Sequence, residues 1–340
     1  MTILKGVNMK KLLLFFMSVT FLLFPFTGCK KSDDGVLRIN EVTDSFFYAP
    51  FYVAIEKGFF EDEGLTIELT NGGGSDVSMT ALLSKSADII LAGPETAVYV
   101  ARQNKQDSPK VFAQLTKRDG CFLISRKEEP NFKWSDLKGK EVIIGRQGGL
   151  PAMTFQYIVS NLGFVDGVDL TLRKDIQFPL MAPTFDGGTG DYVTLFEPTA
   201  TEFVNAGKGY IVASVGTQSG EVPYTSFIAL SSYLKNNELK IKKFLKAMYK
   251  AIDYVENASS LEVASYLVKH FTGSDVNAVA SSLTNYKNVD TWSSDMILTK
   301  PMFESLLSII KNAGESVDGI TFDNVVDNSL AKQVYNELGL

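Results

Sequence analysis

From Val36 onward, short apolar runs alternate with stretches of helical spacing, and few folds accept that pattern. Val36 to Val42 switches between apolar and polar positions, as a half-buried strand does. Pro50 to Phe60 places Phe51, Ala54, Ile55, Phe59 and Phe60 on one helical face, and after Gly64 the run Leu65 to Leu69 reads as a second strand. Strand, helix and strand in this order make a βαβ unit, which requires a parallel sheet with helices packed on it. The alternation continues with a helix over Val77 to Ser84 and a short buried strand over Asp88 to Ala92.

Two apolar, β-prone runs, Val111 to Leu115 and Cys121 to Ser125, flank the charged turn Lys117-Arg118-Asp119-Gly120, where a first crossing between lobes is expected. A new α/β unit opens over Trp134 to Gly145 and continues through a helix over Met153 to Leu162, with later strands at Tyr192 to Phe196 and Tyr210 to Val215. Tyr224 to Leu230 carries the chain back. Helical periodicity then dominates, with helices predicted over Lys240 to Glu256, Ser260 to Phe271, Val276 to Asn285 and Lys300 to Ala313. The expected organisation is discontinuous: residues 36–120 and 224–340 build one lobe, and residues 121–223 build the other.

Ahead of this body, Lys5, Lys10 and Lys11 precede an apolar run from Leu12 to Phe26. Its length of about 15 residues falls short of the ~20 that a spanning helix needs. Residues 1–28 therefore read as an export signal. Thr27-Gly28-Cys29 resembles the bacterial lipobox, in which the cysteine is lipidated and becomes the new N-terminus; Phe26 stands where an aliphatic residue is usual. Acylated Cys29 would hold the chain at the outer face of a membrane, with residues 29–35 as a tether. Cys121 is the only other cysteine, so a lipidated Cys29 leaves no intramolecular disulfide. A net charge of −6 and a pI near 5.1 leave no basic footprint for nucleic acid.

The segment Tyr48-Ala-Pro-Phe-Tyr-Val-Ala-Ile-Glu-Lys-Gly-Phe-Phe-Glu-Asp-Glu-Gly-Leu-Thr-Ile-Glu68 resembles the solute-binding proteins for alkanesulfonates, nitrate and thiamine pyrimidine precursors. The likeness recurs at Ser86 to Gly93, Leu137 to Gly145 and Gly190 to Thr199. It implies an α/β, type II periplasmic-binding-protein fold, with two lobes, two hinge crossings and a ligand cleft. It also implies work with an ABC permease and its ATPase, as a monomer.

In open α/β sheets, ligands sit beyond the carboxyl ends of strands, and four loops of this chain fall there. Phe47 and Tyr48, in the first, offer ring faces to a planar ligand, although aromatics at such a junction also serve as core. Gly93, Pro94, Glu95 and Thr96 form the second, either a ligand-facing turn or a plain helix cap. Gln147, Gly148 and Gly149 precede a helix, where glycines let a ligand approach the backbone. Glu197, in the Glu-Pro-Thr segment that faces the cleft in family members, would accept from amino or ring N–H groups or stand as a capping carboxylate. Tyr224, at the return crossing, completes the set.

A carboxylate in the cleft disfavours an anion, and Arg146 is the one cation in these loops. The favoured ligand is a small, planar, nitrogen-containing heterocycle resembling a thiamine pyrimidine precursor. Sulfonate, nitrate, another aromatic solute, and a sensing role are the alternatives. An enzyme of the pyrimidine-precursor synthase kind would need a cysteine-rich iron segment that has no counterpart here. The single histidine, His270, sits in a late amphipathic helix and reads as structural or solvent-facing. No catalytic residue, cofactor or metal site is expected.

Overall fold

The computed structural model describes residues 35–103 and 107–340. Cys29, the export signal and most of the tether lie outside the described residues.

Among the described residues, ten strands form two sheets. The first contains β1 (Val36–Glu41), β2 (Thr66–Asn71), β3 (Ile89–Ala92), β4 (Pro109–Thr116) and β10 (Thr225–Leu230), in the order β2-β1-β3-β10-β4. The second contains β5 (Phe122–Ser125), β6 (Glu141–Ile143), β7 (Thr171–Arg173), β8 (Tyr192–Leu195) and β9 (Tyr210–Ser214), in the order β7-β6-β8-β5-β9. Each sheet has three parallel strands joined to an antiparallel pair. The two orders match: β3 and β8 occupy equivalent places, and each is flanked by a strand that enters from the other sheet. The chain passes between sheets after β4 and again before β10. This is the α/β type II binding-protein architecture expected from the sequence.

The helices follow their sequence signals. Helix α1 (Ala49–Glu56) starts with Pro50 in its first turn, where the missing N–H costs nothing. Its predicted continuation to Phe60 breaks at Gly58, whose φ of 75° is left-handed. Ser45 caps the short turn ahead of it, its Oγ accepting from Phe47 N at 3.2 Å. Helix α2 (Glu95–Ala101) follows β3, α3 (Leu150–Asn161) follows β6, and α4 (Thr199–Asn205) follows β8.

Helix α5 (Glu238–Asn257) buries Ile241, Phe244, Leu245, Met248, Ile252 and Val255, a stripe at three- and four-residue spacing. Phe244 packs on Phe60 at 5.3 Å and Phe227 at 4.9 Å, ring centre to ring centre. It joins a helix of the opening βαβ unit to the returning strand. Burying one such ring stabilises by about 1.5–3 kcal/mol. Helices α6 (Ser260–His270) and α7 (Val276–Asn288) complete this side, α6 packing on α1 and α7. The edge strand β7 is only three residues long, too short for an alternation that would announce it in the sequence.

Candidate functional site

A cavity of about 230 Å³ opens where the loops after β1, β3, β6 and β8 converge. Strand ends and two crossings meet there, the position that open α/β sheets reserve for ligands. Of the residues singled out from sequence, Phe47, Tyr48, Gly93, Glu95, Gly149 and Tyr224 line it. Pro94, Thr96, Gln147, Gly148 and Glu197 do not.

The aromatic side of the cavity is built from three segments of the chain. Phe47 lies 5.4 Å from Phe196 and 5.7 Å from Tyr224, ring centre to ring centre, in edge-to-face contacts. Such pairs contribute roughly 0.5–1.5 kcal/mol each beyond area burial. Gly120 in the first crossing makes this packing possible: a Cβ there would fall 2.4 Å from Phe47 Cε2 and 2.8 Å from Phe196 Cε1. Phe178, 43% exposed, adds a ring at the cavity rim and touches Phe196 at 5.5 Å. Sequence reasoning missed Phe178 and Phe196. Phe196 directly follows β8, and no local pattern separates its ring from a core aromatic.

Glu95 supplies the charge. It is 2% exposed, and its Oε2 has no hydrogen-bond partner. The carboxyl folds back over Gly93, where an added Cβ would lie 2.0 Å from Oε2. Gly93 is thus needed for its missing side chain. Burial pushes the Glu95 carboxyl up to about 7. Nearby, Asp119 Oδ1 accepts from Cys121 N at 2.7 Å, while Asp119 Oδ2 and Tyr224 Oη, both buried, lack hydrogen-bond partners of good geometry. Burial raises Asp119 to about 6. The lining's one cationic side chain, Arg146, is more than half exposed and sits 3.2 Å from Asp76. The cavity therefore combines flat apolar faces with a buried acceptor.

Glu197 occupies a different setting. It is 1% exposed, and four donors saturate its carboxylate: Thr201 N and Oγ1, both at 2.9 Å, Ser282 Oγ at 3.1 Å and Asn285 Nδ2 at 2.8 Å. Its backbone N–H donates to Tyr286 Oη at 3.0 Å, and its carbonyl accepts from Ser45 Oγ at 2.9 Å. Burial raises its pKa, opposed by these donors. The carboxylate ties the end of β8 to α4 and α7 and has no lone pair left for a solute. Thr96 likewise turns inward, its Oγ1 donating to Gly93 O at 2.7 Å, and Gln147 is exposed.

Two similarly ordered sheets around an aromatic, carboxylate-bearing cavity define a binding-protein fold. Residues 45–258 match the family described as NMT1/THI5 like, and the chain belongs to it. A protein of Bacillus subtilis (strain 168) named as a binding protein, YtlA, is 41% identical over 318 residues, covering 93% of this chain and 95% of that one. Among solved structures, the periplasmic nitrate-binding protein NrtA from Synechocystis PCC 6803 aligns with a TM-score of 0.69 at 16% identity, covering 90% of this chain and 89% of that chain. The alkanesulfonate-binding protein SsuA from Xanthomonas axonopodis pv. citri, bound to MOPS, aligns at 0.65 and 13% identity, covering 88% and 97%. These relatives are each described as binding proteins.

Proposed function

We propose that this chain is the extracytoplasmic solute-binding component of an ABC importer and that its solute is a small, planar, nitrogen-containing heterocycle with N–H donors or positive charge. The observation that carries the reading is the unpartnered Oε2 of Glu95, buried in an aromatic-lined cavity. A buried carboxylate needs a donor or loses its charge. A ring that stacks against Phe47, Phe178 or Phe196 and presents N–H groups to Glu95 supplies one, and charge-assisted bonds of this kind are among the strongest contacts available. Nitrate and sulfonate are bound by the named structural relatives, but both would meet a carboxylate here with Arg146 as the one lining cation.

The nearby crossings support lobe closure on the solute, followed by delivery to a permease and its ATPase. Acylation of Cys29 would keep the monomeric protein at the membrane, and Cys29→Ser is expected to release it into the soluble fraction. A thermal-shift screen of the purified chain against aminopyrimidines, other aromatic amines, alkanesulfonates and nitrate tests the ligand class. Stabilisation by aminopyrimidines or aromatic amines alone is expected. Stabilisation by the anions alone would reverse the assignment.

A further inference from the structure

The end of β1 gathers a second group of chemistry-bearing side chains. Glu41, Asp44 and His270 each bring one ligand atom into a cluster in which all three atoms lie within 4.8 Å of one another. They come from three places in the chain: the last residue of β1, the loop that follows it, and the end of α6. His270 is the single histidine of the sequence. It reads as structural from its helical spacing alone, because nothing in the sequence announces that α6 brings it beside two carboxylates.

The surroundings hold these groups in place. Tyr52 Oη donates to Glu41 Oε2 at 2.6 Å, and the Tyr52 ring stacks on the His270 imidazole with 4.3 Å between ring centres. A third carboxylate adds to the negative charge, with Glu56 Oε1 at 3.9 Å from His270 Nδ1. Among the described residues, Glu41 lies against Asp44 and Tyr52, and no lysine or arginine acts on it. Glu41 is 1% exposed, whereas Asp44 is exposed and His270 half-buried, so the cluster has a fixed inner wall and an open side.

We propose that Glu41, Asp44 and His270 bind a divalent transition-metal cation that fastens the loop after β1 to the end of α6. One imidazole and two carboxylates suit a Zn²⁺-type ion better than Ca²⁺ or Mg²⁺, which prefer oxygen ligands alone. Metal–ligand bonds of about 2.0–2.2 Å need ligand atoms near the spacing found here, and exposed Asp44 has room to close on the ion. Tyr52 then acts in the outer shell, holding one Glu41 oxygen and orienting the imidazole by stacking. Water fills the remaining position on the open side. Because Thr43 and Ser45, on either side of Asp44, line the solute cavity, the cation also steadies one edge of that cavity.

The inference does not depend on the identity of the solute. Purified full-length chain, stripped with a chelator, is titrated with ZnCl₂ alone by calorimetry at pH 7.5 and melted with and without the metal. One Zn²⁺ per chain and a rise in melting temperature are expected. Asp44→Asn and His270→Gln are each expected to weaken binding about tenfold or more. Asp44 is exposed, so Asp44→Asn should melt like wild type in chelator, which separates loss of the site from loss of the fold. Absence of uptake by wild type at about 100 µM Zn²⁺, a level that corresponds to weak millimolar-range affinity at best, overturns the site. Uptake that both variants retain at wild-type affinity also overturns it.

Discussion

The loops after β3 and β8 are topological equivalents, and each carries a proline beside a buried glutamate, yet the two carboxylates do opposite work. In Gly93-Pro94-Glu95-Thr96 the carboxyl folds back over a glycine into the cavity and keeps an oxygen without a partner. In Glu197-Pro198-Thr199 the carboxylate turns away and is saturated by donors from α4 and α7. Burial alone therefore does not mark a binding group; what marks it is a buried lone pair that the protein leaves unused. On the proposed reading the first loop receives a solute, while the second holds the end of β8 against the C-terminal helices.

The sharpest way to break this contrast is to remove each carboxylate. Glu197→Ala orphans several buried donors at once and is expected to cost about 3 kcal/mol or more of stability by urea denaturation, with affinity in the folded fraction near wild type. Loss of binding with stability intact would exchange the two roles. Glu95→Gln should do the reverse: affinity for the heterocycle falls by about ten- to hundredfold, the equivalent of roughly 1.5–3 kcal/mol, while the fold keeps its stability.

The stability of the free protein should also depend on pH. The folded-state pKa of Glu95, about 7, lies above its unfolded value, so the folded chain binds the extra proton at mildly acidic pH. That contribution is fully present below the unfolded pKa and is lost as pH rises through 7; Asp119, raised to about 6, acts in the same direction. Melting temperature is expected to drop between pH 5.5 and pH 8, and to drop less in Glu95→Gln. An equal drop in both would remove Glu95 as its source. The smallest effect belongs to Arg146→Ala. With its side chain exposed and paired to Asp76, Arg146 should change solute affinity less than about threefold.

Much of the fold was legible because strand alternation and helical spacing are local. Val36 to Val42 and Lys240 to Glu256 announced β1 and α5 within a residue or two. Gly58 ended α1 earlier than the apolar spacing suggested, since a left-handed residue overrides a continuing stripe. The site was legible only in part. The Gly-Pro-Glu-Thr loop could be singled out, but not which of two glutamates would find donors, because Ser282 and Asn285 lie far along the chain from Glu197. Phe178 and His270 depended in the same way on partners that no local pattern names.

The protonation of Glu95 during binding separates the two loops most directly. Raised by burial to about 7, its carboxyl is partly protonated at pH 7 in the free cavity. A ligand that donates N–H bonds to the carboxylate expels that proton. Calorimetry of wild type and Glu95→Gln with a stabilising aminopyrimidine, run at pH 7 in two buffers of different ionisation enthalpy, counts the protons exchanged. Wild type is expected to release more protons than Glu95→Gln and to bind more tightly. Equal proton counts together with equal affinities would contradict Glu95 as the group that receives the solute.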